Sequence, residues 1–196
     1  MRKSLMPTIL LTGFEPFADV AVNPAQLLAE QLDGADLAGA RIVGRVLPVV
    51  FGADAALVAA LVREHDPVAV LSLGVAVGTD RLRIETLARN LRQSPDGPIA
   101  IVANAPAACT ASIPVFQVYS AIRAAGAPVC LGGDGDAGDF LCNHVLYTTL
   151  RLAHACGGRF RAGFIHLPAL TGHAPPGKPA MPLETMARGV RTALAD

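Results

Sequence analysis

A chain of 196 residues with sixteen basic and sixteen acidic side chains has no net field to draw it to DNA, RNA or an anionic membrane. Hydrophobic residues make up 52% and charged ones 16%, which excludes a disordered or fibrous chain and suits one packed domain over residues 1–196. Two Tyr, no Trp and no aromatic-plus-basic stripe argue further against nucleic acid as a partner.

No apolar run reaches the roughly 18 residues of a membrane span. Arg2 and Lys3 before Ile9-Leu10-Leu11 have the outline of a signal peptide. Glu15 cuts that stretch short, so a first strand over Thr8–Phe14 is the better expectation. A helix follows over Pro24–Leu32, with Asn23 as N-cap, Pro24 at its first position and Gly34 just past its end. Arg41–Val50 reads as a strand, and Ala53–Glu64 as a helix closed by Pro67. Val68–Gly74 has the unbroken apolar character of a buried parallel strand. Arg81–Leu91 sets polar residues 81, 83 and 85 against apolar 82 and 84, the pattern of a half-exposed strand. Pro114–Ala125 is a helix, Pro128–Gly132 a strand, Phe140–Ala155 a helix, Arg161–His166 a strand and Leu183–Leu194 the closing helix. Thr171–Pro182, rich in Gly and Pro, reads as a long loop and a candidate mobile segment near a site. Alternating strands and helices predict a three-layer α/β/α domain around a twisted, mixed, mainly parallel sheet. Cys109, Cys130, Cys142 and Cys156 form no Cys-x-x-Cys pair, which points to reduced thiols and a cytoplasmic setting.

Chemistry concentrates at Asp139-Phe140-Leu141-Cys142-Asn143-His144, where a helix begins. With Asp139 as cap, Cys142 falls in the first turn, whose unpaired N–H groups and dipole favour a thiolate. The same N–H groups suit the oxyanion of an acyl intermediate. A buried structural cysteine is the plainer alternative, and position alone does not choose between them. His144, two residues on, points to another helix face. His166 ends the apolar run Ala162-Gly163-Phe164-Ile165, and ligand sites in parallel sheets gather at the carboxyl ends of strands. Glu85 is a candidate to orient that histidine, although an exposed strand glutamate is the ordinary explanation. Residue chemistry thus leaves a Cys–His–Glu set open beside structural readings of each member.

Four segments resemble the motifs of the pyroglutamyl-peptidase I family of cysteine peptidases. They are Thr12-Gly13-Phe14-Glu15-Pro16-Phe17 with Asn23-Pro24, Ile84-Glu85-Thr86-Leu87-Ala88-Arg89-Asn90, Ala137-Gly138-Asp139-Phe140-Leu141-Cys142-Asn143-His144, and Gly163-Phe164-Ile165-His166-Leu167-Pro168. They stand in family order and at family-like spacing between about Pro7 and Leu194. The resemblance implies a phosphorylase/hydrolase-like fold and a cofactor-free, metal-free thiol peptidase removing N-terminal pyroglutamate from peptides. It implies Cys142 as nucleophile, His166 as base and Glu85 as the orienting carboxylate. It also implies a substrate pocket of Phe14, Phe17, Asn23, Val75 and Leu141, and a homo-oligomer, commonly a tetramer.

The chain departs from the family pattern in three places. Val75 stands where the family has a pocket glutamine, within Gly74-Val75-Ala76-Val77-Gly78-Thr79. The arginine-bearing segment after Asn90 is reduced to Arg92-Gln93-Ser94-Pro95-Asp96-Gly97, and Gly133-Asp134-Gly135-Asp136 replaces a Ser-Asn-Thr-like run. Two alternatives follow: a relative that binds without turnover, and a cysteine enzyme for another cyclic amide. Gly132–Gly138 lacks the Gly-Lys-Ser/Thr of a phosphate loop and the final glutamate of a calcium loop. Cys142 with His144, and His154 with Cys156, lack structural zinc spacing.

Overall fold

The computed structural model describes residues 6–133 and 137–195. Asp134, Gly135 and Asp136 of the glycine–aspartate run, and Arg2 and Lys3 of the basic start, lie outside the described residues. A seven-stranded sheet carries the fold. Its strands are β1 (Thr8–Phe14), β2 (Asp36–Leu37), β3 (Ala40–Leu47), β4 (Ala69–Val75), β5 (Leu82–Ile84), β8 (Val129–Leu131) and β9 (Arg161–Leu167), in the order β2-β3-β1-β4-β9-β5-β8. Strands β3, β1, β4 and β9 run parallel; β5 and β8 are parallel to each other but antiparallel to β9, and β2 is antiparallel to β3. The sheet is therefore mixed and mainly parallel, as expected.

Successive strand residues point to opposite faces, and each face has its own core. Leu11, Ile42, Leu71, Leu73, Ile165 and Leu167 pack with α1 (Pro24–Leu32), α3 (Val115–Ala124) and α5 (Leu183–Ala195). Leu10, Phe14, Leu47, Val70, Ala162 and Phe164 pack with α2 (Ala53–His65) and α4 (Leu141–Ala155). Helix α1 lies close against β1 and β3 because Gly13 and Gly44 have no side chain; a Cβ at either would collide with the carbonyl of Ala25 or Ala29.

Helix α1 keeps the expected bounds and cap: the Asn23 Oδ1 accepts the Ala25 N–H at 3.0 Å. Three expectations change. Strand β3 stops at Leu47 rather than Val50, since Pro48 has no N–H for the ladder. The stretch Arg81–Leu91 is two strands, not one. Strand β5 stays in the main sheet, whereas β6 (Leu87–Arg89) leaves it to pair with β7 (Ala108–Thr110). The Thr171–Pro182 stretch is not all loop, because β11 (Ala180–Met181) pairs in parallel with β10 (Ala169–Leu170).

Candidate active site

The parallel strands β1, β4 and β9 end side by side, bringing Phe14, Val75 and His166 to one rim of the sheet. His166 is two residues beyond Phe164 and on the same face, under the layer that contains α4. Only 4% of it is exposed. Glu85 reaches it because β5 crosses β9 antiparallel, with Arg83 opposite His166 and Ile84 opposite Ile165. The Glu85 N–H then continues the ladder to the Phe164 carbonyl at 2.9 Å. Its carboxylate is wholly buried, and Oε1 lies 2.6 Å from His166 Nδ1. The glutamate is therefore not an exposed strand residue. That contact leaves Nε2 for Cys142, which hydrogen-bonds to the ring from the start of α4.

Burial works against a charged imidazole at His166. The charge of Cys142 and hydrogen bonds to Cys142 and Glu85 outweigh it, and its pKa is raised from 6.5 to about 9. The arrangement holds an imidazolium beside the sulfur at neutral pH. The sulfur needs room on the sheet side, and Gly74 supplies it. A Cβ there would stand 2.8 Å from Cys142 Sγ and 2.7 Å from Phe164 Cζ.

Cys142 occupies the second position of α4, but Asp139 does not cap that helix. The cap position is Phe140, with no side-chain bond to the helix, and the ladder opens with His144 N–H to the Phe140 carbonyl at 3.0 Å. The Leu141, Cys142 and Asn143 N–H groups thus precede the ladder, as first-turn donors do. Asp139 instead accepts from Gln93 Nε2 at 2.7 Å, strapping the 92–99 segment to the turn. Asn143 binds the helix to β6: its Oδ1 accepts the Arg89 N–H at 2.8 Å, and its Nδ2 donates to the Arg89 and Leu91 carbonyls at 2.9 and 2.7 Å. His144 is engaged with α2 instead, its Nδ1 2.7 Å from buried Asp54 Oδ2.

Beside the sulfur lies a narrow cleft of about 10 Å³, lined by Phe14, Phe17, Asn23, Val75 and Leu141. All five expected pocket residues therefore meet there. Val49, Gly74 and Phe140, which sequence reasoning had not assigned to the pocket, line it as well. The Phe140 ring tilts against Phe17 at 6.2 Å and meets Phe51 edge-on at 5.5 Å. Arg92 covers Phe51, its guanidinium carbon 5.0 Å from the ring centre. Asn23 holds the rim together: Nδ2 donates to the Glu15 carbonyl at 3.2 Å while Oδ1 caps α1. Arg83, also missed, donates from Nε to Glu85 Oε1 at 2.8 Å. Its only sequence signal was the shared alternation of residues 83 and 85. Among the described residues no group of three or more His, Cys, Asp or Glu could hold a metal ion.

The chain is similar to known proteins over nearly its whole length. The sequence profile of the family described as pyroglutamyl peptidase matches residues 7–196. The pyrrolidone-carboxylate peptidase of Cupriavidus taiwanensis is 41% identical, covering 97% of this chain and 92% of that protein. That of Escherichia fergusonii is 37% identical, covering 96% and 92%. The pyroglutamyl peptidase I structure from Bacillus amyloliquefaciens superposes with a TM-score of 0.90 at 27% identity, covering 96% of this chain and 95% of that one. A pyrrolidone carboxyl peptidase structure from Pyrococcus furiosus gives 0.88 at 29%, covering 95% and 96%. With a match over all but the first six residues and a shared fold, this chain belongs to the pyroglutamyl peptidase family.

Proposed function

We propose that the protein removes N-terminal pyroglutamyl residues from peptides by thiol catalysis, with Cys142, His166 and Glu85 as the catalytic set. The observation that carries this reading is the buried Glu85–His166 contact of 2.6 Å beside the Cys142 cleft. The Cys142 thiolate attacks the pyroglutamyl carbonyl, and first-turn N–H groups of α4 receive the oxyanion. The imidazolium of His166 gives its proton to the departing amine as the C–N bond breaks, leaving a thioester. Neutral His166 then takes a proton from water, whose hydroxide attacks the thioester. Pyroglutamate leaves, and the thiolate–imidazolium pair is restored.

Phe14 and Phe17 in the cleft lining offer aromatic side chains suited to a small, flat, uncharged ring. Val75 adds an apolar wall at the position of the family's glutamine. Asn23 has both ends of its amide bonded to backbone, which supports a role in building the rim. Cys109, Cys130, Cys142 and Cys156 are free thiols, and the chemistry requires Cys142 reduced; both support a cytoplasmic setting. Exposed apolar side chains, Phe116 foremost at 72%, support association into a homo-oligomer, a tetramer by family resemblance.

The test is release of a fluorescent amine from a pyroglutamyl amide. The native protein is expected to turn it over, and Cys142→Ala to lose all measurable activity while keeping its unfolding transition. A folded native protein with no turnover would refute the assignment.

A further inference from the structure

Arg83 shares the Glu85 oxygen that orients His166. Its Nε–H reaches Oε1 at 2.8 Å, the same atom that lies 2.6 Å from His166 Nδ1, and its Nη2 stands 3.4 Å from that nitrogen. Among the described residues the other carboxylate oxygen, Oε2, is buried without a hydrogen-bond partner, and it faces Gly132, where a Cβ would collide with it. One oxygen of a fully buried carboxylate thus carries two charged donors. The arginine side chain is 21% exposed, so its charge acts through little water. Register explains the placement. Residues 83 and 85 share one face of the chain, and Arg83 is directly opposite His166 on β9 and Cys130 on β8.

From this geometry we infer that Arg83 is a positioning residue that weakens the hold of Glu85 on the His166 proton, so that the imidazolium remains acidic enough to protonate the leaving amine. A carboxylate paired with histidine alone, in a dry site, stabilises imidazolium strongly and makes it a poor acid. A guanidinium on the same oxygen draws charge from that contact and repels the imidazolium. Nδ1–H still points at Oε1, so orientation is kept while basicity is trimmed. The charged or titratable groups shown facing the ring are Glu85 and Arg83 from the β5 segment and Cys142 from α4. From β4, His166 is opposite Gly74, which brings no charge.

The inference rests on the proposed roles of Cys142, His166 and Glu85, and its test separates the two. Arg83→Met and Arg83→Lys are compared with the native protein for the pH dependence of kcat/KM on a pyroglutamyl aryl amide and on a pyroglutamyl dipeptide. Arg83→Met is expected to move the alkaline limb upward by on the order of one pH unit. Its kcat should fall several-fold more on the dipeptide, whose amine needs a proton, than on the aryl amide, with KM little changed. Arg83→Lys, which returns the charge, should restore much of the limb. An unmoved limb with equal losses on both substrates would leave Arg83 a merely structural residue and overturn the inference, as would a downward shift. Activity retained by Cys142→Ala would instead overturn the catalytic set itself.

Discussion

His166 is the residue whose protonation the fold alters most visibly. Its folded pKa of about 9 stands above the ordinary 6.5, so the folded state binds this proton more tightly than the unfolded chain. The resulting stability is complete below pH 6.5 and is lost as pH rises through about 9. The melting temperature of the native protein, measured against His166→Gln at each pH, is therefore expected to decline between those two values. A difference that stays level across the range would show that the imidazolium is not held. At this scale the sequence motif named the cysteine, histidine and glutamate together, yet three features were hidden. Glu85 was legible as one of three alternating polar residues, a pattern that equally describes a solvated strand face. Its full burial depends on β9 and Gly132 closing over it, and both are remote in sequence. Arg83 was hidden for the same reason, and Asp139 lost its expected cap because Gln93 claims it from 46 residues away.

At the scale of elements, α4 carries Cys142, and its attachment decides where that residue stands. Asn143 makes three bonds to the Arg89 and Leu91 backbone and is 1% exposed. Asn143→Ala would remove three part-buried hydrogen bonds, an expected cost of about 3 kcal/mol at roughly 1 kcal/mol each. Urea unfolding monitored by circular dichroism would measure it; a change below about 0.5 kcal/mol, ordinary for a surface substitution, would show that α4 is held by packing alone. The same helix is tied to α2 by the buried His144–Asp54 contact, which gives His144 a structural place. Element identities were read well because apolar periodicity and punctuation are local: Asn23-Pro24 opens α1, and Gly126 follows α3. Strand breaks were read less well. Nothing within Arg81–Leu91 announces that β6 departs to meet β7, since that partner begins about twenty residues further on.

For the whole molecule, assembly is the property most open to measurement. Light scattering coupled to size exclusion is expected to return a multiple of the monomer mass at micromolar concentration, and a monomer throughout would reject the homo-oligomer. Composition and alternation alone determined that this chain is an α/β protein, because burying 52% apolar residues in repeated short runs leaves few other arrangements. Motif residues also marked which cysteine, histidine and glutamate belong together. Tertiary structure alone decided how they meet: that β5 runs antiparallel to β9, setting Arg83 against His166; that Oε1 serves two donors while Oε2 has none among the described residues; and that Gly74 makes room for the sulfur. The physical reason is separation along the chain. Backbone propensity and hydrophobic period act over a few residues, whereas burial and charge coupling arise between residues up to 90 positions apart.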